Sequence, residues 1–186
     1  MKAALEKRQP QGPLDYFALS LTTFGVGYIP GAPGTYGSAI GVVVYMLVVW
    51  ADNVFAAVIS PKFENVDLTS ATVLGINAIC LTAFCLLGVW AASRAISLLG
   101  NSDPQEAVVD EVMGQLITFC FVPATIGWPF ILAGFLLFRL FDIWKPYPID
   151  DLQVLPGGLG VCADDILAGV YAGICLAIGY AIYLSV

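Results

Sequence analysis

Ala71-Thr72-Val73-Leu74-Gly75-Ile76-Asn77-Ala78-Ile79-Cys80-Leu81-Thr82-Ala83-Phe84-Cys85-Leu86-Leu87-Gly88-Val89-Trp90-Ala91-Ala92 is the stretch that decides the fold. It sits inside a run from Leu68 to Ser93 without one Asp, Glu, Lys or Arg. A membrane-crossing helix needs about 20 predominantly apolar residues, and this segment supplies them with nothing to break it. Three further charge-free runs, 16–51, 112–138 and 166–186, make it one of a set. Of the 186 residues, 59% are hydrophobic and only 11% charged. The mean hydropathy is +0.87. Soluble domains carry about 25% charged residues, and a chain of this size has too much surface to hide so much apolar matter in one soluble core. The composition therefore predicts an integral membrane protein: an all-α, polytopic helical bundle of four to five spans, residues 1–186 forming one domain behind a polar tail, 1–13. With a net charge of -7, a basic footprint for nucleic acid is missing.

The runs differ in kind. The last predicts one span near 165–185. In the first, six glycines and prolines between Gly27 and Gly37 rule out regular helix in hydrocarbon. A helix is expected from about Tyr36 to Trp50, after a glycine- and proline-rich loop and a short interfacial helix over 14–23. Pro123 and Pro129 split the third run into a helix over about 104–122 and a return helix over 129–144. Asp103-Pro104-Gln105-Glu106 reads as the start of the former, with Asp at N-cap, Pro at N1 and Glu at N3. The first dozen residues are too polar for a secretory signal, so none is expected.

Lys and Arg placement fixes an orientation. With the N-terminus in the cytoplasm, Lys2, Lys7, Arg8, Arg94, Arg139 and Lys145 lie inside and only Lys62 outside, as the positive-inside rule requires. The same arrangement puts eleven of the fourteen acidic residues on the inner face, together with the loop 24–38. Ionisable groups at span ends are costly unless they face a polar cavity or each other, so they mark a candidate site.

The chain contains no histidine, which excludes Ser-His-Asp and Cys-His catalysis and His-ligated zinc. Its five cysteines form no CxxC and lie mostly in apolar stretches, as small core side chains do. The acids are more informative. Asp110-Glu111 and Asp164-Asp165 open two of the expected spans. Helix capping and the helix dipole account for one carboxylate at each place better than for two. Adjacent helical residues point about 100° apart, so Asp110 and Glu111 are expected to line one cavity rather than to chelate as a simple pair. With Asp142, these clustered carboxylates suit Mg²⁺, a hard cation that prefers oxygen.

Arg139, Asp142 and Lys145 recur at helical spacing on one face. They read either as a phosphate-binding fork and point charge or as interfacial anchors. Thr35 and Ser38 open the first span, where a helix N-terminus either holds an anion or is simply capped. Gly157-Gly158-Leu159-Gly160 reads as a loop ahead of Asp164 and lacks a Walker A lysine. Phosphoryl chemistry on a lipid and transport of a cation through the carboxylates both remain open from the residues alone.

Four stretches resemble one family in order. Phe24-Gly25-Val26-Gly27-Tyr28-Ile29-Pro30-Gly31-Ala32-Pro33-Gly34-Thr35-Tyr36-Gly37-Ser38, Val109-Asp110-Glu111-Val112-Met113-Gly114, Phe138-Arg139-Leu140-Phe141-Asp142-Ile143-Trp144-Lys145-Pro146-Tyr147-Pro148-Ile149, and Gly157-Gly158-Leu159-Gly160 with Asp164-Asp165-Ile166-Leu167-Ala168-Gly169 resemble the motifs of bacterial phosphatidylglycerophosphatase A. Tyr147 stands where that family often has tryptophan. The resemblance implies a Mg²⁺-dependent phosphatase of the bacterial inner membrane, acting from the cytoplasmic face on a phospholipid, phosphatidylglycerophosphate. It implies catalytic and metal-binding roles for Asp110, Glu111, Asp142, Asp164 and Asp165. Arg139, Lys145, Thr35 and Ser38 would hold the substrate phosphate. Oligomeric state is not legible.

Overall fold

The computed structural model describes residues 6–59 and 66–186. It is a helical bundle of six α-helices: α1 (Pro13–Thr23), α2 (Pro33–Ile59), α3 (Val66–Leu99), α4 (Val109–Phe119), α5 (Trp128–Trp144) and α6 (Gly158–Ser185), with 3₁₀ turns at Val26–Tyr28 and Asp150–Val154. Lys2 and Lys62 lie outside the described residues, as does 60–65 of the expected outer loop.

Three helices, α2, α3 and α6, are long and apolar enough to cross a membrane. Their outer faces carry exposed Val43, Leu47, Leu74, Ile79, Leu86 and Ile178, a surface that suits lipid and not water. The other two differ. At 1.5 Å per residue, the 11 residues of α4 cover roughly 16 Å, about half of a hydrocarbon core. The 17 residues of α5 cover roughly 25 Å. The expected set of spans thus resolves into three long helices and a shorter α4–α5 pair.

Small residues set the packing. Gly37 and Gly41 of α2 receive Val108, Glu111 and Gln115 of the α4 segment, and one turn further Tyr45 stacks on Phe119 at 4.2 Å. These steps of four run the same way along both helices, so α2 and α4 are parallel. Gly114 of α4 and Gly169 of α6 meet backbone to backbone, and Thr118 Oγ1 of α4 donates to Gly114 O at 2.9 Å. Close backbone approach through glycine is how helices gain contact where water offers no hydrophobic drive. α5 runs antiparallel to α6, with Phe141 against Tyr171 and Phe130 against Tyr180. The starts of α2, α4 and α6 and the ends of α3 and α5 therefore share one face.

On that face α1 lies beside the end of α3. Asp15 is buried and takes Arg8 at 2.8 Å and Arg94 at 2.6 Å, and Gln11 N–H donates to it at 2.8 Å. The Arg8 guanidinium, followed by the Gln11 N–H, holds the Asp15 carboxyl well below the usual carboxylate range. Burial opposes them and Arg94 adds to them.

Four helices differ from expectation in their bounds. α2 begins at Pro33 and continues past Trp50 to Ile59. Asp52 does not stop it, because Asn77 Nδ2 of α3 donates to the Asp52 carboxylate at 2.6 Å. α3 is likewise longer at both ends than 71–92, since its last turns bury Ala91, Ala92, Ala95 and Leu98. α4 starts at Val109, not near 104. The Val108 N–H donates to Thr22 O of α1 at 2.9 Å, and the Glu106 carbonyl seats directly over Gly27. These tertiary contacts hold 103–108 off the helical path despite its helix-start residues. α6 starts at Gly158 rather than near 165. Gly157 has φ 64 as the N-cap, and the Gly158 N–H donates to Ser93 Oγ at 2.8 Å.

Candidate active site

The late start of α4 and the early start of α6 decide the site. Asp110 and Glu111 are the second and third residues of α4, where the helix dipole favours negative charge. Asp164 and Asp165 lie almost two turns inside α6 and cannot be its caps. Both are 4% exposed, and Asp110 and Asp142 are 8% exposed. Capping thus fails as an account of the second pair, and burial of so many carboxylates calls for a compensating partner.

The structure sorts the five carboxylates. Asp110, Glu111 and Asp165 each bring one oxygen within 4.8 Å of the other two. The longer Glu111 side chain closes the angular gap that adjacent positions impose, so the neighbours converge after all once α6 supplies a third oxygen. Asp142 instead accepts from Arg139 Nη1 at 2.5 Å. Asp164 pairs with Lys145 Nζ, which also stands 3.8 Å from Asp142. Lys145 is the left-handed C-cap of α5, φ 45, and so sits just beyond the helix whose face it was expected to share.

All five carboxylates and both cations line one cavity of about 410 Å³. Gly31, Ala32, Pro33 and Gly34 at the start of α2 form one lip, and Ile143 of α5 another. Gly34 is there because nothing larger fits. A Cβ on it would meet Glu111 Oε1 at 2.5 Å and Arg139 Nη1 at 3.0 Å. Ser38 and Thr35 do not line the cavity. The Ser38 hydroxyl donates to Gly34 O at 2.8 Å and accepts from Arg139 Nη1 at 3.4 Å, so it reaches the site only through that arginine. The Thr35 N–H donates to Ala32 O, at the first turn of α2. Sequence reasoning missed Gly34 and Ile143 as walls. Both lie inside quoted motifs, but their closeness to the carboxylates depends on how α2, α4 and α5 meet.

The donors fit a hard divalent cation. Asp110 Oδ1, Glu111 Oε2 and Asp164 Oδ1 are buried with no hydrogen-bond partner. Three oxygens from two helices converge, and oxygen ligands of this kind suit Mg²⁺. Arg139 Nε is buried without a partner too, leaving a guanidinium donor for an anion beside the acids.

Fold and cavity together define a membrane-embedded helical protein with an acidic, cation-flanked site at one face. Residues 19–180 match the phosphatidylglycerophosphatase A family, and the chain belongs to it. It is 34% identical over 152 residues to phosphatidylglycerophosphatase A of Haemophilus influenzae, covering 80% of this chain and 79% of that one. The corresponding Escherichia coli protein is 35% identical over 160 residues, covering 84% and 80%. A putative phosphatidylinositol-3-phosphatase of Bacteroides thetaiotaomicron is 34% identical over 158 residues, covering 84% and 89%. No solved structure matches the chain significantly. The protein is thus a membrane protein and a lipid phosphatase, a hydrolase of phosphoric monoesters.

Proposed function

We propose that the substrate is phosphatidylglycerophosphate, that Mg²⁺ is the cofactor, and that the site faces the cytoplasm from the bacterial inner membrane. The observation that carries this reading is the convergence of Asp110, Glu111 and Asp165 beside Arg139 and Lys145. Asp110, Glu111 and Asp165 would hold the cation. When bound, Mg²⁺ supplies Lewis acidity to a phosphoryl oxygen and makes water a better nucleophile at neutral pH.

The chain's own side chains do the rest. Arg139 offers its unpartnered Nε, and its guanidinium is held in place by Asp142 and Ser38. Lys145 is held by Asp164 and Asp142 as a point charge on the same wall. Both cations neutralise the phosphate dianion while their carboxylate partners keep them aimed. In the hydrolysis a P–O bond to water forms and the P–O bond to the lipid glycerol breaks, the departing glycerol oxygen taking up the proton that the attacking water gives up. With no histidine in the chain, a cavity carboxylate accepts the proton of the attacking water. Cytoplasmic placement is supported by Arg8, Arg94, Arg139 and Lys145, which gather at the cavity end of the bundle.

The substrate assignment is tested by comparing phosphate release from phosphatidylglycerophosphate and from phosphatidylinositol 3-phosphate, each in the same mixed micelles. A clear preference in kcat/KM for the former is expected. Equal rates, or a preference for the inositol lipid, overturn the assignment and favour the activity named for the Bacteroides relative.

A further inference from the structure

The cavity has one large apolar wall residue in the open. Ile143 lines it and is 72% exposed. On the opposite flank Ala107 and Val161 are buried. Across from Ile143 the lip of α2 is Gly31 and Ala32, both exposed and with almost no side chain. The cavity is therefore walled toward α3, Asp103, Pro104 and Gln105 give it a polar rim, and an uncharged opening lies between the start of α2 and the last turn of α5.

From that opening an apolar stripe leads away from the polar site. Leu140 and Leu136 lie three and seven residues before Ile143, on the same side of α5, and are 53% and 57% exposed. Arg139 lies about 40° from Ile143 on the helix and faces the carboxylates. Phe138, on the other side of α5, is fully buried against Gly114. One helix thus offers a phosphate-binding cation at the cavity and an unpartnered hydrocarbon track directly below it.

We propose that Ile143, Leu140 and Leu136 form a lateral portal that receives an acyl chain of the substrate while its phosphate occupies the cavity. This rests on the lipid-phosphatase reading and adds the route and the side from which the lipid arrives. The occupant is an acyl chain because charge and hydrophobicity change along the track in the order of a phospholipid. Anion-binding groups come first, then an uncharged lip, then hydrocarbon. The small Gly31–Ala32 lip leaves room for the glycerol backbone to bend from one to the other.

Ile143→Trp and Leu140→Trp fill the track with indole. Rates on a dioleoyl phosphomonoester lipid and on its dihexanoyl counterpart, with the same headgroup, separate the track from the site. The dioleoyl kcat/KM should fall about ten-fold more than the dihexanoyl value, chiefly through KM. Leu74→Trp, on the outer face of α3, should leave both unchanged. Equal losses on the two lipids, or none, overturn the portal. A second measurement needs no turnover. Benzoylphenylalanine at position 143 should crosslink to a phosphomonoester lipid in preference to phosphatidylcholine, and at position 74 without preference. Equal labelling at both positions overturns the portal. A wild-type chain that hydrolyses neither lipid overturns the phosphatase reading instead, and the crosslinking result still decides the track.

Discussion

A methyl group at Gly34 would lie 2.5 Å from Glu111 Oε1 and 3.0 Å from Arg139 Nη1. Gly34→Ala must push aside either a carboxylate of the converging trio or the guanidinium beside it. Displacing such a group by about 1 Å costs on the order of 100-fold in rate. Gly34→Ala is therefore expected to lose about that much kcat. A rate equal to that of wild type would contradict the described approach. Asp15 carries a different prediction. Its folded pKa lies below its unfolded value of 3.8. Its contribution to stability is therefore complete above that value and is lost as pH falls toward the folded one. The melting-temperature gap between wild type and Asp15→Asn should be full at neutral pH and narrow as the pH drops from about 5 to 2. A gap independent of pH would mean that the Arg8 and Arg94 pairs do not stabilise the fold. The acids and bases of the site were legible as residues because charge is rare in this chain and its placement stands out. Which acids converge and which pair with cations was not, since that depends on the rotation of α4 against α6.

At the scale of elements, α4 and α6 are held at backbone distance. A Cβ on Gly169 would meet Gly114 O at 2.3 Å, and one on Gly114 would meet Asp165 O at 2.5 Å. Backbone cannot yield as a flexible side chain does. Gly114→Ala or Gly169→Ala should destabilise by about 2 kcal/mol or more, measured by unfolding in detergent. Gly75 and Gly179 have open space around them, and alanine there should cost nothing and gain up to about 1 kcal/mol. Equal effects at all four positions would contradict the packing described. The spans themselves were legible from the charge-free runs, and the return helix was placed to within a residue. The helix starts beside the site were not. Asp103-Pro104-Gln105-Glu106 has the chemistry of a helix N-terminus, but contacts to Thr22 and Gly27 outweigh it. Gly157-Gly158-Leu159-Gly160 has the look of a loop, yet Gly158 begins α6 because it seats on the Val89 carbonyl, where a Cβ would lie 2.1 Å away.

For the molecule as a whole, the starts of parallel α2, α4 and α6 and the end of α5 gather the site residues at one end of the bundle. The far end carries the Trp128 turn and the C-terminal residues of α6. Lys and Arg counting proposes an orientation, because insertion reads those charges before any tertiary structure exists. That the polar segments meet at one face was legible as well, whereas the cavity's exact lining was not, because it is drawn from four segments that only packing brings together. In a background with the five native cysteines replaced, cysteine at Gln153 should label from the cytoplasmic side alone and cysteine at Val186 from the opposite side alone. Labelling of both from one side would overturn the topology. The most direct measurement of the central claim is phosphate release from phosphatidylglycerophosphate by the purified protein, with Mg²⁺ present and after complete chelation, for wild type, Asp110→Asn and Asp165→Asn. Release that requires Mg²⁺ and disappears in both variants, with their melting temperatures retained, is the predicted result. Release that survives chelation, or full rates in both variants, would contradict it.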